Sequence, residues 1–221
     1  MQRTKTSTFT ESHEHLFGKF AHPIAAQVLR KRFRKHIRMA RYVVYKETLV
    51  DFRDHLWTFL GSFAGIGLIG LLNDFQFTET DNVFLIGSFG ASSVLIYGIP
   101  NSPLAQPRNL LGGHVFSAFI GVLVHWLVPG EVWLSSAFAV SLSIVAMQMT
   151  KTLHPPGGAT ALIANIGSEK IKSLGFLYVL SPVLTGALIL LIVAILVNNR
   201  AAHRHYPKNK NWFKVWQRRY R

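Results

Sequence analysis

The chain has 221 residues, 49% of them hydrophobic and only 15% charged, whereas an ordinary soluble domain carries about a quarter charged residues. Its formal net charge of +14 sits at the two ends: twelve of the 24 Lys and Arg fall in residues 1–54 and eight in residues 198–221, which leaves Arg108, Lys151, Lys170 and Lys172 between them. A nearly bare middle flanked by basic ends excludes a soluble domain and a nucleic-acid-binding one, and reads as a membrane protein with cytoplasmic ends.

Residues 1–54 form a basic N-terminal region. Within it "RKRFRKHIRMARYVVYKETLVDFRDH" (Arg30–His55) interleaves cations with Phe33, Ile37, Met39, Val43 and Val44, the pattern of an amphipathic helix lying on anionic headgroups. No secretory signal peptide is expected, and without cysteine there is neither a disulfide framework nor a thiolate metal site. Five apolar runs follow: His55–Leu72, Asn82–Ile99, Gly112–Val128, Val132–Thr150 and Ser173–Val197. Each is close to the about 20 residues that a crossing needs. Gly61, Gly65 and Gly70 give the first run a small-residue face for close packing. The tail, residues 200–221, ends in "NWFKVWQRRYR" and is expected to rest on the same membrane face as the N-terminal region.

Five crossings would put the basic ends on opposite sides, against the positive-inside tendency. "KTLHPPGGATAL" (Lys151–Leu162) supplies the missing passage. Pro-Pro-Gly-Gly suits neither a helix interior nor a strand interior, and Gly157–Gly167 is apolar yet long enough for only about half a bilayer at ~1.5 Å per residue. An extended Thr152–Pro156 leading into a half-helix from Gly157 makes a sixth, broken crossing. The predicted fold is therefore an all-α integral membrane protein of six crossings, the second and fifth broken, with a transmembrane domain over residues 55–199. Both termini are placed in the cytoplasm, with a bacterial plasma membrane as the expected location. "FGASSVLI" (Phe89–Ile96) resembles "GGATALIA" (Gly157–Ala164), so the chain also reads as a 3+3 inverted repeat, a recurring transporter plan.

A break of this kind at membrane depth must be buried in protein or line a wet cavity. The N–H groups of Gly158, Ala159 and Thr160 are expected to emerge unpaired at a helix start, an anion site without a cationic side chain. Gly90, Ala91, Ser92 and Ser93 would supply the opposing half, with Gly157, His154 and the hydroxyls of Ser93 and Thr160 completing it. The competing reading is a cytoplasmic turn that ends one helix and caps the next. Arg108 and Asn109, His114, Pro155 and Pro156 are pathway or gate candidates, although a loop arginine also serves as an interfacial anchor. A His154 that takes up a proton as an anion arrives gives anion–proton symport; a His154 that only bonds the broken backbone is equally compatible. His55, His114, His125 and His154 lack a metal-ligand spacing, so neither a metal nor another cofactor is expected.

His154-Pro155-Pro156 followed by Gly157-Gly158-Ala159-Thr160-Ala161-Leu162 resembles the signature of the HPP family of integral membrane proteins. "GASSVLIYGIPNSPLAQPRNLLGGH" (residues 90–114) is similar to that family's other recurrent block, and the resemblance extends from Trp57 to Asn199. It implies four transmembrane helices and a transport role, with nitrite as the substrate associated with chloroplast and cyanobacterial members. The expected ligand is then a small inorganic anion, nitrite first, and the expected surroundings are a bilayer with anionic headgroups and no nucleic acid. Homo-oligomerisation is left open. The alternatives are an intramembrane enzyme with His154 as base, which lacks a carboxylate partner between Asn82 and Ser168 apart from Glu131, and a sensory or structural membrane protein without flux.

Overall fold

The computed structural model describes residues 52–76 and 86–209, and every ordered element in them is helical. The helices are α1 (Phe52–Gln76), α2 (Gly87–Ser93, continuing as a π-helical turn, Val94–Gly98), α3 (Pro107–Leu127), α4 (Val132–Met149), α5 (Pro155–Ile166), α6 (Glu169–Ser173) and α7 (Thr185–Asn198). A second π-helical stretch, Val179–Leu184, leads into α7, and a short 3₁₀ turn, Pro103–Ala105, precedes α3. Four stretches are long and apolar enough to cross a membrane: Phe52–Asp74, Pro107–Leu127, Val132–Met149 and Val179–Asn198. The predicted amphipathic helix and the aromatic tail end lie outside the described residues.

Side-chain bonds fix the direction of each helix. At one end of the bundle Arg204 Nε donates to Asp54 Oδ1 (2.6 Å) and Arg204 Nη1 to the Tyr97 carbonyl (2.9 Å). At that same end Asn198 Nδ2 donates to the Ile96 carbonyl (3.0 Å) and the Tyr206 hydroxyl to the Ala105 carbonyl (2.7 Å). Arg108 Nη2 reaches the Thr150 carbonyl (2.6 Å), which adds the start of α3 and the end of α4. The opposite end gathers Trp126 and Phe176, whose ring centroids lie 5.0 Å apart. The described residues thus make six passages through the bundle: α1, α2 with its π turn, α3, α4, α5, and the π stretch with α7. An even number of passages returns the chain to the side on which it started.

The two short passages are those expected to be broken. From Gly87 to Gly98, and again from Pro155 to Ile166, the helix has 12 residues, about 18 Å against a hydrocarbon core of about 30 Å. Boundaries differ from the sequence expectation at three places. Helix α3 begins at Pro107 rather than Gly112, because Pro107 is preorganised for a first helical position. The half-helix begins at Pro155 rather than Gly157 for the same reason. The last run is not one helix: Pro182 and the extended Ser181 interrupt it before α7.

Packing follows from small residues and from solvent-independent burial. A Cβ at Gly61 would stand 2.6 Å from the Tyr97 ring, so glycine there lets α1 lie against the second passage, where Tyr97 is fully buried. Outward-facing Phe59, Phe63, Leu68 and Leu71 on α1, and Trp133, Phe138, Leu142 and Val145 on α4, are exposed. Such faces suit acyl chains rather than water. Residues 200–209 are not a free basic tail: Ala201, Arg204 and Tyr206 are buried against the bundle end, and burial pushes the Tyr206 phenol above its ordinary range.

Candidate functional site

The chain enters the middle of the bundle through the residues after α4. That helix ends in a pair of closing bonds, Lys151 N–H to the Gln148 carbonyl (3.1 Å) and Thr152 N–H to the Met147 carbonyl (2.8 Å), with Lys151 in the left-handed region at φ 56°. This is the Schellman arrangement, in which glycine usually takes that position. It turns the chain back into the protein. Arg108 holds the Thr150 carbonyl, and Asn109 Nδ2 donates to the Leu153 carbonyl (2.7 Å). Gly112 and Gly113 leave room for Thr152 and His154 to lie against α3. His154 is extended (φ −140°, ψ 103°), as the residue before a proline tends to be.

There a buried polar centre forms. Ser92 Oγ lies 2.7 Å from His114 Nε2 and 2.9 Å from His154 Nε2. His114 Nδ1 lies 2.7 Å from Thr160 Oγ1, and His154 Nδ1 lies 2.9 Å from the Leu104 carbonyl oxygen. The imidazoles are edge to face with centroids 5.0 Å apart, and Phe89 packs on His114 at 5.4 Å. Ser92, His114, His154 and Thr160 are wholly buried. The Tyr178 hydroxyl donates to the Thr160 carbonyl (3.1 Å) and so ties α5 to the last passage. Among the described residues the buried hydroxyls of Ser88, Ser93 and Ser117 have no hydrogen-bond partner. Ser88 is one turn before Ser92, and Ser117 one turn after His114. Among the described residues no three His, Cys, Asp or Glu lie close enough to hold a metal ion.

The structure corrects the backbone half of the expected anion site. Pro155 and Pro156 occupy the first two helical positions and have no N–H. The Gly157 N–H donates to the His154 carbonyl (2.8 Å). Gly158, Ala159 and Thr160 are the fourth to sixth helical residues, where N–H groups bond four residues back within the helix. The helix start therefore spends its donors internally. The two glycines differ in the space around them. A Cβ at Gly157 would lie 2.7 Å from Ser117 Oγ and 2.9 Å from the Gly113 carbonyl, whereas one at Gly158 would meet only Val140, at 3.9 Å. Gly90 and Ala91 are exposed on the outer face of α2, away from the centre that Ser92 enters. Ser93 is buried but does not touch Thr160 directly; His114 and Ser92 link the two short helices instead.

His114 is two turns inside α3 rather than at its start, because the helix begins at Pro107. Arg108 and Asn109 hold the segment leading to His154. Sequence reasoning named both histidines but not their juxtaposition, 40 positions apart, and it missed Leu104, Ser117 and Tyr178. Ser117 was findable, since it shares a helix face with His114 at a spacing of three.

Comparison with known proteins agrees with a transmembrane chain. Residues 47–207 match the HPP transmembrane region. Two transmembrane proteins of Dictyostelium discoideum are similar: one is 48% identical over 162 residues, covering 71% of this chain and 56% of the relative. The other is 46% identical over 160 residues, covering 71% of this chain and 51% of the relative. The chain thus spans about half the length of these curated relatives. No solved structure matches it. With the match running from the threshold of α1 to the segment that carries Arg204, the chain belongs to the HPP family of transmembrane proteins.

Proposed function

We propose that this protein moves a small inorganic anion across its membrane, with nitrite first among the candidates, and that it acts as a transporter or channel rather than an enzyme. The supporting observation is the wholly buried cluster of Ser92, His114, His154 and Thr160, placed where two half-length helices meet inside an apolar bundle. Ionisable side chains at membrane depth mark ion and proton pathways by default. The imidazole N–H groups and the Ser92 and Thr160 hydroxyls are already bonded to one another or to the Leu104 carbonyl, so the neutral donors left for an anion among the described residues are the hydroxyls of Ser88, Ser93 and Ser117. Conduction requires binding weak enough to permit release, which neutral donors provide and a buried Lys or Arg would not. The two short helices among longer ones are compatible with an inverted-repeat transporter, and the basic ends favour cytoplasmic termini.

The test is flux into liposomes containing the purified protein, with nitrite, nitrate, chloride and formate as separate substrates. Nitrite entry above that of protein-free liposomes is expected, with Thr160→Val lowering it. Absence of flux for every anion, in protein shown to be folded and inserted, would sink the transport reading in favour of the enzymatic or sensory one.

A further inference from the structure

We infer that Thr160, His114, Ser92 and His154 form a one-directional proton relay that ends at the Leu104 carbonyl. The bonding partners fix its polarity. A carbonyl oxygen can only accept, so His154 Nδ1 carries a proton and donates to Leu104 (2.9 Å). In an uncharged ring His154 Nε2 is then bare and accepts the Ser92 hydroxyl proton (2.9 Å). Ser92 has spent its proton, so at 2.7 Å it must accept, and His114 Nε2 is the donor. His114 Nδ1 is then bare and accepts from Thr160 Oγ1 at 2.7 Å. Thr160 has a second acceptor in the Pro156 carbonyl, at 3.4 Å, but that contact is much the longer. Every donor points the same way, and the two histidines must be opposite tautomers.

Such a chain passes a proton by hopping. A proton taken up at Thr160 Oγ1 pushes the hydroxyl proton to His114 Nδ1. His114 passes its Nε2 proton to Ser92, Ser92 passes its own to His154 Nε2, and His154 releases the Nδ1 proton to water at the bundle end, the Leu104 carbonyl being too weak a base to hold it and serving only as the resting acceptor. One proton enters, one leaves, and no bond between heavy atoms changes. Afterwards His154 faces the carbonyl with a lone pair, a repulsive contact, and the starting sense returns only when each imidazole and hydroxyl turns so that its proton again points towards Leu104. Among the described residues the groups packed on the rings are Phe89, Ser92, Thr160, the Leu104 carbonyl and the other imidazole. No carboxylate or cation bonds to either ring to hold the proton in place. Leu104 lies in the 3₁₀ turn beside Ala105, at the Arg204 end of the bundle, so the release point faces the side on which α1 begins. Coupling of this relay to an anion rests on the transport reading above; the relay itself rests on geometry.

Two measurements on the full chain in bilayers test it. Solid-state nitrogen NMR of histidine-labelled protein reads which ring nitrogen carries hydrogen, with His114→Gln and His154→Gln used for assignment. The expected result is a proton on Nδ1 of His154 and on Nε2 of His114; the same tautomer at both residues overturns the relay. In liposomes with a trapped pH indicator and a nitrite gradient, wild-type protein should acidify the lumen as nitrite enters. Ser92→Ala should lose that proton movement and Ser92→Thr should keep it. Wild-type proton movement in a folded Ser92→Ala variant overturns the relay. So does nitrite entry without protons in the wild type, though transport then stands. Proton movement without nitrite, lost in Ser92→Ala, keeps the relay and removes the nitrite reading.

Discussion

Arg204 illustrates how much one side chain decides at the bundle end. Its guanidinium donates to Asp54 Oδ1, to the carbonyls of Asp54 and Tyr97, and to Asn198 Oδ1 and Thr58 Oγ1. Removing one member of a buried pair leaves the other uncompensated. With Asp54 still partly open to solvent, Arg204→Met should cost about 2 kcal/mol, below the about 3–5 kcal/mol of a fully buried pair. Thermal unfolding in lipid nanodiscs reads the loss. Arg204→Lys should not rescue it, because an ammonium cannot reproduce the planar fork. Gly157 gives a second residue-scale test. Gly157→Ala presses a methyl group on Ser117, the Gly113 carbonyl and Met147 and should destabilise by about 2 kcal/mol, as overpacking does. Gly158→Ala meets only Val140, at ordinary contact distance, and should stabilise by up to about 1 kcal/mol, because alanine is the better helix former. In the sequence Arg204 is one of eight cations in a basic tail, and Gly157 cannot be told from Gly158. Their difference lies in partners up to 150 positions away, which no local pattern encodes.

At the scale of elements, the apolar runs and the Pro-Pro break were legible because hydrophobic length and missing N–H groups are local properties. The fifth passage was anticipated as extended chain followed by a half-helix, and the second as broken. What local chemistry concealed was how α4 hands over to α5. Lys151 takes a left-handed position without being glycine, and nothing in "QMTKTLHPP" announces it. The strain at a non-glycine residue there is about 1 kcal/mol or slightly more, so Lys151→Gly should raise stability by about that amount. A fall in melting temperature for Lys151→Gly would mean the lysine side chain contributes more than its backbone costs. The same turn delivers His154 to Ser92, so flux in Lys151→Gly should persist if glycine holds the same conformation.

Across the whole molecule, an even number of passages surrounds a buried polar centre. Asp54 and Arg204 share a hydrogen bond, so labels introduced near residues 54 and 204 should react from the same side of sealed vesicles. Labelling from opposite sides would contradict the six-passage path. Charge asymmetry made this legible in the sequence. The centre itself was only half legible: Ser92, His114, His154 and Thr160 were all named, but the expected ligands were backbone N–H groups that the helix start consumes. The central claim is that the ion meets the protein at this histidine pair. Its most direct test is nitrite flux through reconstituted His114→Leu, a substitution that fills the buried site without a polar atom. Flux at the level of protein-free liposomes, in protein that is inserted and folded, is predicted; flux equal to wild type would contradict the account.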